Sequence, residues 1–485
     1  MGDESAVSVH TGASPTETVL ACIDTWRRAP LPAEVSARTR QVVLDTIACY
    51  IGATAMDAGR RLLAFAERSS GPATLFPLRH RVSAEAASFA ASSMANLLDA
   101  DEAMFNRGHH ACAIVMPALI VGGVYGKSVD DAMRAIAIGF EVAARVSLSW
   151  SYYTVESDGS VRGADVTGLS WIVLGAAASI GLLRDLDGDA MRSALGIAAY
   201  GAPIPTNSNW HVAYPPDSMT KYTLYGALAQ HAVSAVELAA LGFVGCQNVL
   251  DGPRGFRRLI GATTWDDDVL RDGLAGTWTI VQTGLKRYPA CRLWHGALYG
   301  LEQLVRDARL APADVRHVEI DLALLHPTQM RLAREYPELT EISAQFSVPY
   351  GAAQVIERRP PGPAWYRPDA LSSERTRELM RRIDVAVDPV MNKEAAEEVK
   401  RVGHYGYRLP WAVSVTPASG TTLRASGTNA PGDPFVPALD ITPRETEEKF
   451  REFYQQARGT GAPPAFLRVL DAPDATCAEL LGALG

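Results

Sequence analysis

Over roughly its first 275 residues the chain spaces apolar residues as a helix does and never alternates strand with helix, which excludes most architectures available at this length. Helical periodicity is predicted over Thr16–Trp26, Pro32–Gly52, Ala84–Leu98, Val129–Ser149, Ser170–Leu183, Ala190–Ala199, Lys221–Leu241 and Val269–Asp272. The apolar run Ala118–Val124 predicts another helix. Small residues are frequent in these segments, so the helix axes can approach closely. Without βαβ alternation or a glycine-rich phosphate loop, a dinucleotide fold or P-loop reading fails.

The pattern changes after residue 280. Val315–Leu322, Arg382–Val387 and Trp411–Thr416 alternate with period two, and Ser419-Gly420 predicts a hairpin turn with Thr421–Ala425 as the return strand. Helices over Trp294–Ala308 and Ile342–Val355 lie among them, and a proline-rich loop runs from Arg358 to Asp369. At Thr442-Pro443, an N-cap followed by proline at N1 opens a closing helix. The fold class expected is mainly α with an α+β lobe. Residues 1–280 and 441–485 would form a large helical domain, and 281–440 a smaller α+β lid.

A net charge of −8 argues against non-specific binding to nucleic acid or an anionic membrane. Six cysteines (Cys22, Cys49, Cys112, Cys246, Cys291 and Cys477) show no CxxC spacing, which is thiol usage of a reducing compartment. The polar, acidic N-terminus lacks an apolar signal segment, and apolar runs are broken by charge short of a membrane span. A cytoplasmic protein is expected.

Chemistry concentrates in Asn96-Leu97-Leu98-Asp99-Ala100-Asp101-Glu102 and the following Gly108-His109-His110. Three acids and two histidines between two apolar helices would cost several kcal/mol if buried unpaired. A histidine beside carboxylates can both take and give a proton near neutral pH. A polar helix–helix loop, with Asp101 or Glu102 capping the next helix, is the plainer alternative. A metal site is possible in ligand type, but the spacing does not specify one, and none is expected.

Four separated segments together resemble the MmgE/PrpD family, which includes 2-methylcitrate dehydratase, cis-aconitate decarboxylase and iminodisuccinate epimerase. The first is Leu98–Glu102 with His110. The second is Ser218-Met219-Thr220-Lys221, followed by Gly242-Phe243, Leu250-Asp251-Gly252 and Gly255-Phe256. Lys286-Arg287-Tyr288-Pro289-Ala290-Cys291-Arg292 with His295 is the third. The last is Ala344–Tyr350, then Gly432-Asp433-Pro434 and Lys449-Phe450. No single motif is diagnostic; their joint order is. The resemblance implies a homodimer without cofactor whose site lies between the lobes, acting on a small carboxylic acid by proton abstraction next to a carboxylate.

On that reading Lys221, Lys286 and Arg287 form an anion clamp, which would also stabilise charge growing on the carboxylate as the neighbouring C–H breaks. His110 would be the general base or acid, with Asp99 orienting it or carrying the second proton. His109 reads as solvated or structural. His326, just past a predicted strand, reaches the cleft from the lid or is a plain loop histidine. Cys291 stands with Lys286, Arg287, His326 and Trp210 among the substrate-binding candidates; it lacks an evident base, and buried packing is the better reading than a nucleophile. The aromatics Trp171, Trp210, Tyr214, Tyr222, Tyr225 and Trp294 gather in the same neighbourhoods, as site wall or as core.

The chain departs from the family pattern at three points. Ala103 stands where the family's Asp-rich turn usually ends in threonine. No histidine precedes the helix starting near Trp171, and Leu224 occupies the position three residues after Lys221 where a histidine is usual. A pocket built for several hydroxyls and carboxylates is not easily reused without these polar groups. The substrate expected is therefore less polar than methylcitrate. Isomerisation, epimerisation, a lyase step or cyclisation fits the residue set, and a non-catalytic dimeric relative is the other class.

Overall fold

The computed structural model describes residues 13–485 apart from 105–106, 152, 158–159, 165, 167–168, 206–217, 254, 263, 272–277, 325–331, 333, 335–337 and 403–407. Its first half is helical, as the periodicity predicts. Helix α1 (Pro15–Arg28) starts where the Ser14 side chain accepts from the Glu17 N–H. Then come α2 (Ala33–Ala53) and α3 (Asp57–Ala66). Helix α3 stands where no element is expected from the sequence; it is a two-sided helix whose Ala58, Leu63 and Ala66 are buried. Next are α4 (Ala84–Asn96), capped by Ser83, and α5 (Ala111–Val124). Helix α6 (Val129–Leu148) opens with a reciprocal Ser128–Asp131 capping box.

A short antiparallel pair, β1 (Tyr153–Val155) and β2 (Val161–Gly163), was not foreseen. Three-residue strands carry too little alternation to stand out. Helices α7 (Ile172–Leu183), α8 (Gly188–Tyr200) and α9 (Thr220–Ala240) follow, and single helical turns at Phe256–Leu259 and Asp268–Arg271 end this half.

Small residues decide how these helices cross. A Cβ at Gly226 of α9 would collide with the Phe89 carbonyl and the Ser93 hydroxyl of α4, so only glycine lets the two backbones touch. That contact brings the first turn of α9, with Lys221, beside the C-terminal end of α4.

The second half holds the sheet. Helix α10 (His295–Asp307) precedes β3 (Val315–Leu322), α11 (Val348–Ile356), α12 (Glu374–Met380), β4 (Ile383–Val387), α13 (Pro389–Val402), β5 (Trp411–Pro417) and β6 (Leu423–Gly427). The strand order is β4-β3-β5-β6, with β3 and β4 parallel and the other neighbours antiparallel. A register shift between Val315 and His317 explains why the buried positions of β3 run 315, 318, 320, 322 rather than strictly every second residue. The predicted hairpin is present, with Val415 opposite Leu423 and Gly420 at φ 93° in its turn.

Helices α14 (Pro443–Arg458), α15 (Pro464–Leu470) and α16 (Cys477–Gly482) close the chain. Helix α14 packs along α2, and α16 packs on α5, so the last helices join the first ones. The molecule is mainly α with a small α+β part, as expected. Among the described residues no single helix is long and apolar enough to cross a membrane.

Candidate active site

Helix α4 ends at Asn96, and the chain leaves it through Asp99 in the left-handed conformation (φ 49°), its N–H donating to the Asn96 carbonyl at 2.8 Å. Aspartate is among the few non-glycine residues that visit this region readily. The turn aims the Asp99 carboxylate inward, where its side chain is only 3% exposed.

Two ammonium groups from distant segments meet it. Lys221 Nζ, from the first turn of α9, lies 3.0 Å from Asp99 Oδ1. Lys286 Nζ lies 3.0 Å from Asp99 Oδ2 and donates to the Asp99 carbonyl at 2.7 Å. Burial alone would raise the Asp99 carboxyl. The charges of Lys221 and Lys286, with His109 as a further donor, outweigh it and hold Asp99 well below the usual carboxylate range.

The imidazole at this cluster belongs to His109. Its Nε2 lies 3.4 Å from Asp99 Oδ1 and its Nδ1 3.2 Å from Asp101 Oδ2. Asp101 is fixed in turn by the Asn96 side-chain amide, which donates to Oδ1 at 2.9 Å. Burial pulls the His109 value down. The Asp101 charge and the hydrogen bonds to Asp101 and Asp99 overcome this and leave it above the ordinary histidine value. Carboxylate–imidazole–carboxylate is an arrangement in which Asp101 flanks Nδ1 of the ring and Nε2 faces the Asp99 oxygen that Lys221 holds.

His110, expected as general base or acid, is not brought to this cluster. It is completely buried at the start of α5, where Trp171 Nε1 donates to its Nε2 at 2.9 Å and the Phe140 ring packs nearby. Burial, with the charges of His109 and Arg107, pushes it down to about 3, so the ring is neutral at physiological pH. Glu102 supplies the reason the two histidines part. Its Oε1 accepts from the Ala111 N–H at 2.6 Å, starting α5 one residue after His110 and turning that ring into the helical core. Glu102 is thus the capping acid foreseen as an alternative, and Asp101 is not.

Family models divide the chain at the same place as its change of pattern. One for the MmgE/PrpD N-terminal domain matches residues 20–266, and one for the MmgE/PrpD C-terminal domain matches residues 288–461. The chain belongs to the MmgE/PrpD family. Cis-aconitate decarboxylase of Aspergillus terreus strain NIH 2624 is 24% identical over 355 residues, covering 68% of this chain and 69% of that protein. A second Aspergillus terreus cis-aconitate decarboxylase is 24% identical over 357 residues, with the same coverage.

Other residues singled out by the family resemblance take different places. Arg287 sits next to Lys286 but is committed elsewhere, its Nη2 3.0 Å and Nε 3.3 Å from the two oxygens of Glu302 on α10. Cys291 is partly exposed, and burial with the nearby Asp99 charge pushes its thiol up to about 11, so it is un-ionised. His326, Trp210 and Tyr214 lie outside the described residues. Of the named aromatics, Tyr222 donates its hydroxyl to Gln345 Oε1, and Lys221 Nζ lies 4.5 Å from the Tyr222 ring centroid. Tyr225 meets His109 edge to face at 5.9 Å. Gln345 Nε2 donates to the Leu97 carbonyl at 2.9 Å, tying the second half of the chain to the Asp99 turn.

Two participants, Asn96 and Gln345, had no role assigned from the sequence, and His109, expected to be solvated or structural, is instead buried between two carboxylates. Asn96 and Gln345 are neutral amides whose partners lie as far as 248 residues away, and no local pattern signals such a contact. His109 was visible as a residue; which of two adjacent rings faces the acids depends on where α5 begins.

Proposed function

We propose that this chain is an enzyme of the lyase or isomerase type that acts on a small carboxylic acid and moves a proton at the carbon next to a carboxylate. One observation carries this reading: the Asp99 carboxylate shared by two buried ammonium groups, with His109 Nε2 facing the oxygen that Lys221 holds. A substrate carboxylate has the same shape and charge as Asp99, and an ammonium carries three donors, so among the described residues Lys286 has an N–H left after its contacts with Asp99. The cations then stabilise the charge that delocalises into the bound carboxylate when the adjacent C–H breaks.

His109 takes the proton in its neutral form and returns it from the imidazolium, with Asp101 steadying the ring in both states. Asp99 and Lys221 complete the catalytic set. The name of the Aspergillus relatives, cis-aconitate decarboxylase, supports a small carboxylic acid as the substrate class. Ala103 and Leu224, which replace polar groups of the family pattern, favour a substrate with fewer carboxylates and more apolar bulk than methylcitrate. Residues 281–440 as a lid and assembly as a homodimer belong to the same proposal.

The test is a screen of small mono-, di- and tricarboxylic acids in heavy water, followed by proton NMR. Loss of a C–H signal next to a carboxylate, dependent on the protein and absent in Lys221→Met, supports the reading. No exchange in any acid at millimolar concentration counts against it and favours a non-catalytic relative.

A further inference from the structure

Lys449 on α14 is a largely buried cation, its side chain 11% exposed, outside the cluster just described, and all three of its N–H groups have partners. Its Nζ donates to Asp45 Oδ1 of α2 at 2.6 Å, to the Ala100 carbonyl at 2.6 Å and to the Lys286 carbonyl at 3.2 Å. Ala100 directly follows Asp99, and Lys286 is its ammonium partner. One point charge thus ties the peptide next to the site carboxylate to the peptide of the lysine that faces it.

These two segments are also joined by the backbone bridge between Ala103 and Gly284 (2.9 and 3.2 Å) and by Lys286 itself. The bridge fixes one end of the turn; Lys449 fixes the other, nearer the carboxylate. Asp45 is 1% exposed and keeps one oxygen without a hydrogen-bond partner. A buried ion pair of this kind is often no more stable than a well-packed apolar pair of similar volume. Stability alone therefore gives no reason to place a charged pair here, whereas convergence on two carbonyls does.

We propose that Lys449, held by Asp45, is a positioning residue through which the C-terminal helix sets the spacing of Asp99 and Lys286. Its catalytic consequence rests on the function proposed above; its geometric consequence does not. Lysine suits the task because its three donors diverge from a single atom, while the planar fork of arginine cannot meet three acceptors converging on one point.

The experiment compares crystal structures and heavy-water exchange of the wild type, the double variant Asp45→Asn/Lys449→Met, and Lys449→Arg. The double variant removes both charges together, so no uncompensated ion is left buried. In both variants Lys286 Nζ is expected to leave at least one of its two contacts with Asp99, and exchange to fall about a hundredfold, the scale of a misplacement near 1 Å. Lys286 kept at its wild-type distances from the Asp99 carboxylate and carbonyl in either variant overturns the proposal. Failure of both variants to fold also overturns it, because the pair would then be a folding element. If the wild type itself exchanges nothing, the Lys286–Asp99 distances still decide the positioning claim, and only the functional reading falls.

Discussion

The Asp99 carboxylate and the Lys221 ammonium stand 3.0 Å apart with each side chain 3% exposed, joining the end of α4 to the start of α9. A pair this buried is costly to break from one side, because the surviving charge keeps its desolvation penalty. Lys221→Met is predicted to lose about 3 kcal/mol in urea unfolding, less than a full orphaning because Lys286 remains with Asp99. Adding Asp99→Asn deepens that loss, because the buried Lys286 ammonium then has no carboxylate, and restores none of the exchange activity. Equal stability of the single variant and the wild type contradicts the buried pairing.

The pH dependence of exchange follows from Asp101. The abstracting form of His109 is the neutral ring, and its value lies above the ordinary one. Exchange should therefore rise with pH through a midpoint above 6.5 and then level off. Asp101→Asn removes the nearest charge favouring the imidazolium, so that midpoint moves down by about one pH unit. A profile that stays put would show that another group is titrating.

Glu102 gives a separate test on stability. Burial, with the Asp101 charge adding to it, pushes its carboxyl from 4.5 up to about 8, so the fold prefers the protonated acid. The stability this contributes is fully present below pH 4.5 and is lost as pH rises towards about 8. Glu102→Gln keeps an acceptor for the Ala111 N–H and cannot ionise. Between pH 5 and 8 the wild type is expected to lose a few kcal/mol relative to this variant, read from paired urea titrations.

Gly226→Ala tests how α9 is placed. Alanine is the better helix former by roughly 1 kcal/mol, yet the added methyl meets a backbone carbonyl of α4 that cannot rotate away. Steric cost wins, and a net destabilisation of about 2 kcal/mol is expected, with the loss of exchange that follows when the Lys221 end of α9 shifts. An unchanged or raised unfolding midpoint contradicts the close approach of the two helices.

Much of this architecture is legible in the sequence because it is local. Helical periodicity, the Thr442 cap and the Gly420 hairpin each depend on a few neighbouring residues. Helix α5 is partly an exception. Its predicted run began at Ala118, but the helix starts at Ala111 and carries Pro117 inside, because Glu102 satisfies its first turn from outside. The site follows the same division. Asp99, Lys221 and Lys286 carry the family's pattern and meet in space, whereas the choice between His109 and His110 turns on a single residue of helix start. Arg287 was read with Lys286 as one clamp, but Glu302 on the following helix claims its guanidinium. The reach of Lys449 across 404 residues to Asp45 leaves no local trace.

The most direct measurement is heavy-water exchange on any acid the wild type labels, comparing His109→Asn with His110→Asn. The His109→Asn protein should fold and lose exchange by at least a hundredfold, the usual range for a missing acid–base group. The His110→Asn protein should be less stable, through its lost contact with Trp171, and still exchange with the wild-type pH profile. Wild-type exchange in His109→Asn, or its loss in a folded His110→Asn protein, contradicts the assignment of proton transfer to the ring between Asp99 and Asp101.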